Sequence, residues 1–411
     1  NEKGADLVYS DEDRVSADLH YALPFFKPDW SPDLHLSFNY INRFALYKKT
    51  VLFENGGFEK NFDKFPDYDL SLKITEKTKN IFHIPQVLYH RFSVDTLNYF
   101  EPNNDELYFV EKKSLQNAIK RRGIPGFLTE KSGPPYYLRY NLDKNKSVSI
   151  IIPTKDKVDL LKNCIRSILE KTDYQNYEII IVDNNSKEPG TFFYYEQLKK
   201  FGSEKIVLLD YKQPFNFSAI NNFAAKTAKG EFIVFLNNDT EVINEGWLTA
   251  LIEQAQRLEV GAVGCKLYYP DGSLQHAGVI DWSKHAFVKK SDIGSYFELA
   301  NAITNYRNLT GACLAIKKSL FEKMGGFNEI YKVPFSDTEL CLQLWLQGYL
   351  NIFTPLARLY HFEAATRGVD NWPEETAIFR SRWKDIVDNP DPYYNPNLNT
   401  VQEKSFEWRG Y

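Results

Sequence analysis

Eleven residues, Gly230-Glu231-Phe232-Ile233-Val234-Phe235-Leu236-Asn237-Asn238-Asp239-Thr240, constrain this chain more than any others. A glycine stops a helical pattern, an uninterrupted apolar run follows, and the run ends abruptly in two amides and a carboxylate. A short apolar run bounded by turn residues reads as a strand buried on both faces, the kind a parallel sheet uses. In open α/β sheets, ligands gather off the carboxyl ends of such strands. Asp239 is thereby placed where a ligand for a cation or a phosphate would stand. An Asn/Asp turn without any ligand explains the same residues taken alone, so the rest of the chain must decide.

The neighbouring residues supply the sheet. Residues 148–152 form an apolar strand ended by Pro153, and 156–171 an amphipathic helix with Val158, Leu161, Ile165, Ile168 and Leu169 on one face. Residues 178–182 are a second strand, tipped by Asp183-Asn184-Asn185-Ser186. A third strand spans 206–209 and a helix covers 217–229. Strands alternating with helices predict a doubly wound, mostly parallel sheet.

The first hundred residues repeat part of this order. Asp11-Glu12-Asp13 stands at the tip of a strand over 5–10, followed by Gly56-Gly57-Phe58, Asp67-Tyr68-Asp69-Leu70 and Leu88-Tyr89-His90. Later come Asn237-Asn238-Asp239, Gly325-Gly326-Phe327, Asp337-Thr338-Glu339-Leu340 and Leu359-Tyr360-His361. The distance from strand tip to diglycine is 45 residues in the first copy and 88 in the second. On this alignment Asp11, Asp13, Asp67 and His90 match Asn237, Asp239, Asp337 and His361. The expected organisation is a partial domain (1–105), a closing helix and linker (106–146), a complete domain (147–385) and a tail (386–411).

A net charge of −4 over 411 residues argues against a general nucleic-acid binder. Cys164, Cys265, Cys313 and Cys341 lack metal-ligand spacing and suit buried thiols in a reducing compartment. No apolar run approaches the ~18 residues of a membrane span. The chain begins at Asn1 rather than Met, as a fragment or processed product would. Aromatic residues, 15% of the chain, pack cores and also stack on sugar faces.

Residues 148–154, Asp183-Asn184-Asn185-Ser186, Asn216-Phe217-Ser218 with Asn221-Asn222, 237–240, Gln275-His276-Ala277-Gly278, Thr310-Gly311-Ala312-Cys313, Gly325-Gly326-Phe327, 335–340 and His361 stand in the order of family 2 glycosyltransferases of the GT-A fold. Over 147–385 the chain most resembles bacterial O-antigen and cell-surface polysaccharide enzymes, rhamnosyltransferases among them. Phe26-Lys27-Pro28-Asp29-Trp30-Ser31-Pro32-Asp33 resembles the first domain of tandem enzymes in that group. The implied fold is α/β, a GT-A (Rossmann-like), mostly parallel sheet with flanking helices, preceded by a partial second GT-A-like unit. The family's metal motif is Asp-x-Asp, and here its first position is Asn237.

The resemblance implies an inverting glycosyltransferase that moves a sugar from a nucleotide-sugar donor to a hydroxyl of a growing polysaccharide or lipid-linked saccharide. Mg2+ or Mn2+ would neutralise the leaving pyrophosphate through hard ligands, with Asp239 as the candidate ligand and His361 as a second ligand or a phosphate contact. Asp337 matches the family's catalytic base, and Glu339 would help orient the site; both also suit a negatively charged first helical turn. Pro153, Thr154, Asp183, Asn216, Asn221, Asn237 and Asn238 would bind the donor nucleotide. Trp247, His276, Gly311, Trp345 and Arg367 are candidates for the sugar and acceptor sites. The implied setting is cytoplasmic, with peripheral association at the inner face of the membrane and no nucleic-acid partner. Two rivals are a GT-A-like module that binds saccharide or a partner without turnover, and a sugar-nucleotide pyrophosphorylase. The latter's glycine-rich first loop is missing, since the loop here is Pro153-Thr154-Lys155-Asp156-Lys157.

Overall fold

A computed structural model describes residues 4–62, 64–92, 104–131, 133–143, 145–200, 204–282, 284–291, 296–362 and 372–408. The chain divides into two compact units. Unit 1 contains Asn1–Asn141, Ile293–Asn305 and Pro390–Tyr411; unit 2 contains Leu142–Asp292 and Tyr306–Asn389. Residues 296–305, read from the sequence as part of the second domain, and residues 390–408 of the expected tail therefore belong to unit 1.

Unit 1 runs β1 (Leu7–Val15), β2 (Tyr21–Phe25), α1 (Pro32–Ser37), β3 (Ala45–Tyr47), α2 (Lys49–Glu54), α3 (Asp67–Thr75), β4 (Ile81–Phe92), α4 (Asp105–Arg121), β5 (Gly126–Leu128) and β6 (Leu138–Tyr140). β1 pairs antiparallel with β2 and β3 and parallel with β4. The apolar face of α4 supplies Leu115, Ala118 and Ile119 to a core shared with Leu36, Tyr68 and Leu72. Asn104 caps that helix by accepting from the Leu107 amide at 3.0 Å.

Two expectations fail in β1. The strand continues through Asp11-Glu12-Asp13 instead of ending there, because each charge is buried against a partner. Glu12 meets Lys27 at 2.9 Å, Asp11 meets His83 at 2.8 Å, and Asp13 meets His90 at 2.6 Å. Asn395, late in the chain, also donates to both carboxylate oxygens of Asp11. The repeat alignment shifts as well, a consequence of strand pairing in unit 2.

Unit 2 runs β7 (Val148–Thr154), α5 (Val158–Glu170), β8 (Tyr177–Asp183), α6 (Pro189–Lys200), β9 (Ile206–Asp210), α7 (Phe217–Thr227), β10 (Phe232–Leu236), β11 (Thr240–Val242), α8 (Trp247–Ala255), β12 (Val260–Tyr268), β13 (Leu274–His276), β14 (Val279–Ile280), β15 (Lys284–His285), β16 (Thr304–Tyr306, its last residue in this unit), β17 (Cys313–Lys317), α9 (Lys318–Lys323), α10 (Ser336–Leu346), β18 (Leu350–His361), α11 (Pro373–Arg382) and α12 (Lys384–Val387). Its main sheet has the order β11-β18-β12-β17-β10-β7-β8-β9. β10, β7, β8 and β9 run parallel, and β17 is antiparallel to both its neighbours. This is the expected mixed α/β architecture with a mostly parallel sheet.

The residues around β10 explain its register. All five residues of the strand are buried. A Cβ at Gly230 would lie 2.5 Å from the Ser149 amide nitrogen. Only glycine lets the chain enter the sheet that close to β7. On α5, Leu161, Ile165 and Ile168 are buried as expected, whereas Leu169 is 44% exposed because it falls outside the inward stripe. The four cysteines are buried and unpaired. Among the described residues no helix is long and apolar enough to cross a membrane.

Hydrogen bonding sets the repeat. β12 pairs parallel with β18 and antiparallel with β17, as β1 does with β4 and β3. Glu12 opposes Tyr89, and Tyr268 opposes Tyr360. β1 is therefore the counterpart of β12, and Asp11 and Asp13 do not correspond to Asn237 and Asp239. Measured from Glu12 and Tyr268, the distances to the diglycines become 44 and 57 residues, far closer than 45 and 88. Asp67 and Asp337 still correspond, each in the first turn of its helix, and so do His90 and His361.

Candidate active site

The carboxyl ends of β7, β8 and β10 converge on one cleft of ≈ 510 Å³, lined by Pro153, Thr154, Asp156, Asn184, Phe215, Phe217, Asn237, Asn238, Asp239 and Trp372 among others. That volume suits a cofactor-sized ligand. Thr154 Oγ1 accepts from Asn238 Nδ2 at 3.0 Å, tying the β7 end to the β10 end. Asp156 caps the next turn, accepting from the amides of Lys187 and Glu188 at 2.7 and 2.8 Å. Asn184 spends its amide on the carbonyls of Tyr211 and Gln213.

Asp239 leaves β10 and enters β11, whose Thr240 pairs with His361 at the end of β18. The pairing sets His361 Nε2 3.3 Å from Asp239 Oδ1. That oxygen is buried and receives no hydrogen bond. Asn237 Nδ2 stands 3.4 Å from the same His361 nitrogen. A buried carboxylate oxygen facing an imidazole nitrogen, with no hydrogen bond between them, is a pair of electron donors suited to a divalent cation. No three His, Cys, Asp or Glu side chains gather into a ready cage among the described residues. Two protein ligands would leave the remaining positions to phosphate oxygens and water, as Mg2+ commonly requires.

Asp337 lies on the first turn of α10. The preceding Phe335 takes a left-handed conformation, φ 67°, and its ring stacks on Phe379 at 4.6 Å and packs against Trp282 at 5.7 Å. This packing offsets the backbone strain and fixes the turn that presents Asp337. The carboxylate accepts from the amides of Gly311 at 2.5 Å and Thr338 at 2.7 Å. Burial pushes the Asp337 carboxyl above the usual carboxylate range, against the opposite pull of those two amides. Gly311 stays small because a Cβ there would lie 3.1 Å from the Asp337 carboxylate. The next residue, Ala312, accepts from the Asn237 amide at 3.0 Å. Asp337 is therefore joined to the Asn237–Asp239 tip through two adjacent residues of one backbone.

Other expected site residues serve the scaffold. Glu339 is 1% exposed, and its oxygens take Asn328 at 2.9 Å, Trp383 at 3.0 Å and Arg382 at 3.3 Å. With those bonds made it braces α10. Asn216 caps α7 and donates to the Glu329 carbonyl. Asn221 is fully buried and bonds back to Phe217 of its own helix. Together with Ser218, which donates to the Tyr331 carbonyl, Asn216 latches α7 to the loop leading into Asp337. Asp183 accepts from the Tyr195 hydroxyl and the Ser186 amide, and its neighbour Asn184 lines the cleft. Trp247 is fully buried and donates to Thr172 Oγ1 at 2.9 Å, which makes it a core residue. His276 is also fully buried, 3.2 Å from His285, and burial drives its pKa well down. Trp345 is half-buried about two turns beyond Asp337, and Arg367 lies outside the described residues. Asp156, Phe215, Gln275 and Trp372 were not singled out one by one from the sequence. Two of them stood there within named segments, Asp156 in the loop after the first strand and Gln275 in Gln275-His276-Ala277-Gly278.

The described residues thus form an α/β cleft off the ends of parallel strands, with the Asp239–His361 pair and the half-buried Asp337 carboxylate nearby. Residues 149–325 match Glycosyl transferase family 2. The O-antigen biosynthesis protein RfbC of Myxococcus xanthus is 39% identical over 404 residues, which cover 95% of this chain and 31% of that protein. The uncharacterized protein y4gI of Sinorhizobium fredii is 38% identical over 96% of this chain and 45% of its own length. The GalNAc(5)-diNAcBac-PP-undecaprenol beta-1,3-glucosyltransferase of Campylobacter jejuni is 32% identical over 54% of this chain and 67% of its own length. By these matches the chain belongs to glycosyl transferase family 2. It spans less than half the length of the first two of these relatives.

Proposed function

We propose that unit 2 is an inverting glycosyltransferase acting on a nucleotide-sugar donor, with a saccharide hydroxyl as acceptor. The observation that carries this reading is the Asp239–His361 pair, its carboxylate oxygen free of any hydrogen bond, at the mouth of a cleft built by strand ends. Asp239 and His361 would hold Mg2+ or Mn2+, which when bound supplies positive charge beside the departing diphosphate. Thr154, Asn184 and Asp156 shape the nucleotide end of the cleft. Asp337 takes the proton from the acceptor hydroxyl as its oxygen bonds to the anomeric carbon and the bond to the nucleotide diphosphate breaks. Among the described residues the site offers one base and no separate nucleophile, which favours a single displacement with inversion. The names of the relatives support a surface-polysaccharide acceptor, such as a lipid-linked saccharide; on this reading the protein meets it by peripheral association at the inner face of the cytoplasmic membrane.

The test is a panel of nucleotide sugars incubated with the protein and Mn2+, with and without EDTA. Turnover of one donor, lost on chelation, is the expected result. Full turnover in EDTA overturns the role of the cation. Saccharide binding without turnover of any donor favours a binding module.

A further inference from the structure

An imidazole can face Asp239 through Nε2 in two tautomers, and only the one protonated at Nδ1 leaves a lone pair on Nε2 for a cation. The choice is made by Gln275. Its Nε2 donates to the His361 carbonyl at 3.1 Å, and its Oε1 lies 2.7 Å from His361 Nδ1. The first bond orients the amide, since only its NH2 end can face a carbonyl. The oxygen is then left facing Nδ1, and an amide oxygen can only accept, so Nδ1 carries the proton. Two further observations agree: Asp239 Oδ1 receives no hydrogen bond from Nε2, and Asn237 points an NH2 group toward the same nitrogen. Gln275 is 2% exposed and is held in the β12–β13 hairpin, where the next residue, His276, opposes Leu267.

We infer that Gln275 is a positioning residue for the cation, holding His361 as the Nδ1–H tautomer with Nε2 aimed at the space beside Asp239. This rests on the cation reading proposed above. It assigns a task to the Gln275-His276 segment, whose histidine is itself spent in the core.

The test compares wild type, Gln275→Leu and Gln275→Glu. Two readouts are used: 1H–15N NMR of the His361 ring in cation-free protein, and Mn2+ binding followed by electron paramagnetic resonance. Wild type should show a proton on Nδ1. Gln275→Leu should lose the single tautomer and bind Mn2+ about 10–100-fold more weakly, the usual effect of removing such a support. Gln275→Glu keeps an acceptor for Nδ1–H and should recover the tautomer and most of the affinity. An Nε2–H tautomer in wild type, or wild-type Mn2+ affinity in a folded Gln275→Leu, overturns the inference. If Gln275→Leu fails to fold, the wild-type tautomer and the Gln275→Glu variant decide. A wild type that shows the Nδ1–H tautomer but binds no Mn2+ overturns the cation reading and with it the task of Gln275, while leaving its hold on the His361 ring established.

Discussion

Asp239 Oδ1 and His361 Nε2 face each other at 3.3 Å across the pairing of β11 with β18, and the carboxylate oxygen receives no hydrogen bond. The two residues come from strand ends 122 positions apart in sequence. Asp239→Asn should abolish Mn2+ binding and turnover together, because the site then has no anionic ligand. Asn237→Asp should tighten Mn2+ binding, since a second carboxylate adds charge for a hard cation. Calorimetry with Mn2+ checks both, and unchanged affinity in Asp239→Asn would remove that residue from the site.

Glu339 is expected to act on stability first. Glu339→Ala leaves Trp383 Nε1 and Asn328 Nδ2 without their acceptor, at a cost of about 1–3 kcal/mol. Calorimetric melting should show the loss, with a smaller fall in turnover as α10 loosens. An unchanged melting temperature alongside complete loss of turnover would make Glu339 a member of the reacting site.

The two corresponding aspartates should behave differently. Asp67 borders a cavity of only ≈ 60 Å³, lined also by Arg43 and Arg91. Unit 1 shows no counterpart of β7, β8 or β10 among its described elements. Asp67→Asn should therefore leave turnover within about twofold. Equal losses from Asp67→Asn and Asp337→Asn would mean that both units contribute to one active site.

Glu111 makes the stability of unit 1 pH-dependent. Burial raises its carboxyl from 4.5 to about 7, while the Tyr136 hydroxyl at 2.9 Å pulls the other way. A raised folded-state pKa gives stability that is fully present below pH ~4.5 and lost as pH rises through about 7. Every tenfold gain in proton affinity on folding is worth about 1.4 kcal/mol, which makes the full change on the order of 3–4 kcal/mol. Denaturant melts of Glu111→Gln between pH 4 and 8 should show this slope flattened. An unaltered slope would place the pH dependence elsewhere.

How much of this was legible in the sequence depended on the range of the interactions. β10 and the parallel strands beside it were readable because apolar runs bounded by Gly, Pro and Asn report burial locally. The cleft was readable in outline because strand ends carry ligands in such sheets. The error at Asp11-Glu12-Asp13 arose because an acidic triplet after an apolar run imitates a strand tip. Its partners, Lys27, His83 and His90, are distant in sequence. Asn216, Asn221 and Glu339 take scaffold partners that the sequence does not show, for a similar reason. The polar groups of Asn216 and Glu339 bond to backbone and side chains that only the folded chain brings near, and Asn221 is buried against its own helix. Gln275 was visible as part of a motif, but its contact with His361 depends on the β12–β13 hairpin.

The most direct test of the account is Asp337→Asn measured beside wild type, with donor binding by calorimetry and turnover of the same nucleotide sugar. Because burial raises the Asp337 carboxyl, the acid limb of wild-type kcat/KM should lie above the ordinary carboxylate range, activity rising with pH as the base ionises. The account predicts that Asp337→Asn binds donor and Mn2+ as wild type does while turnover falls ~10²–10⁴-fold. Loss of donor binding in parallel with turnover, or turnover retained at the wild-type rate, would contradict it.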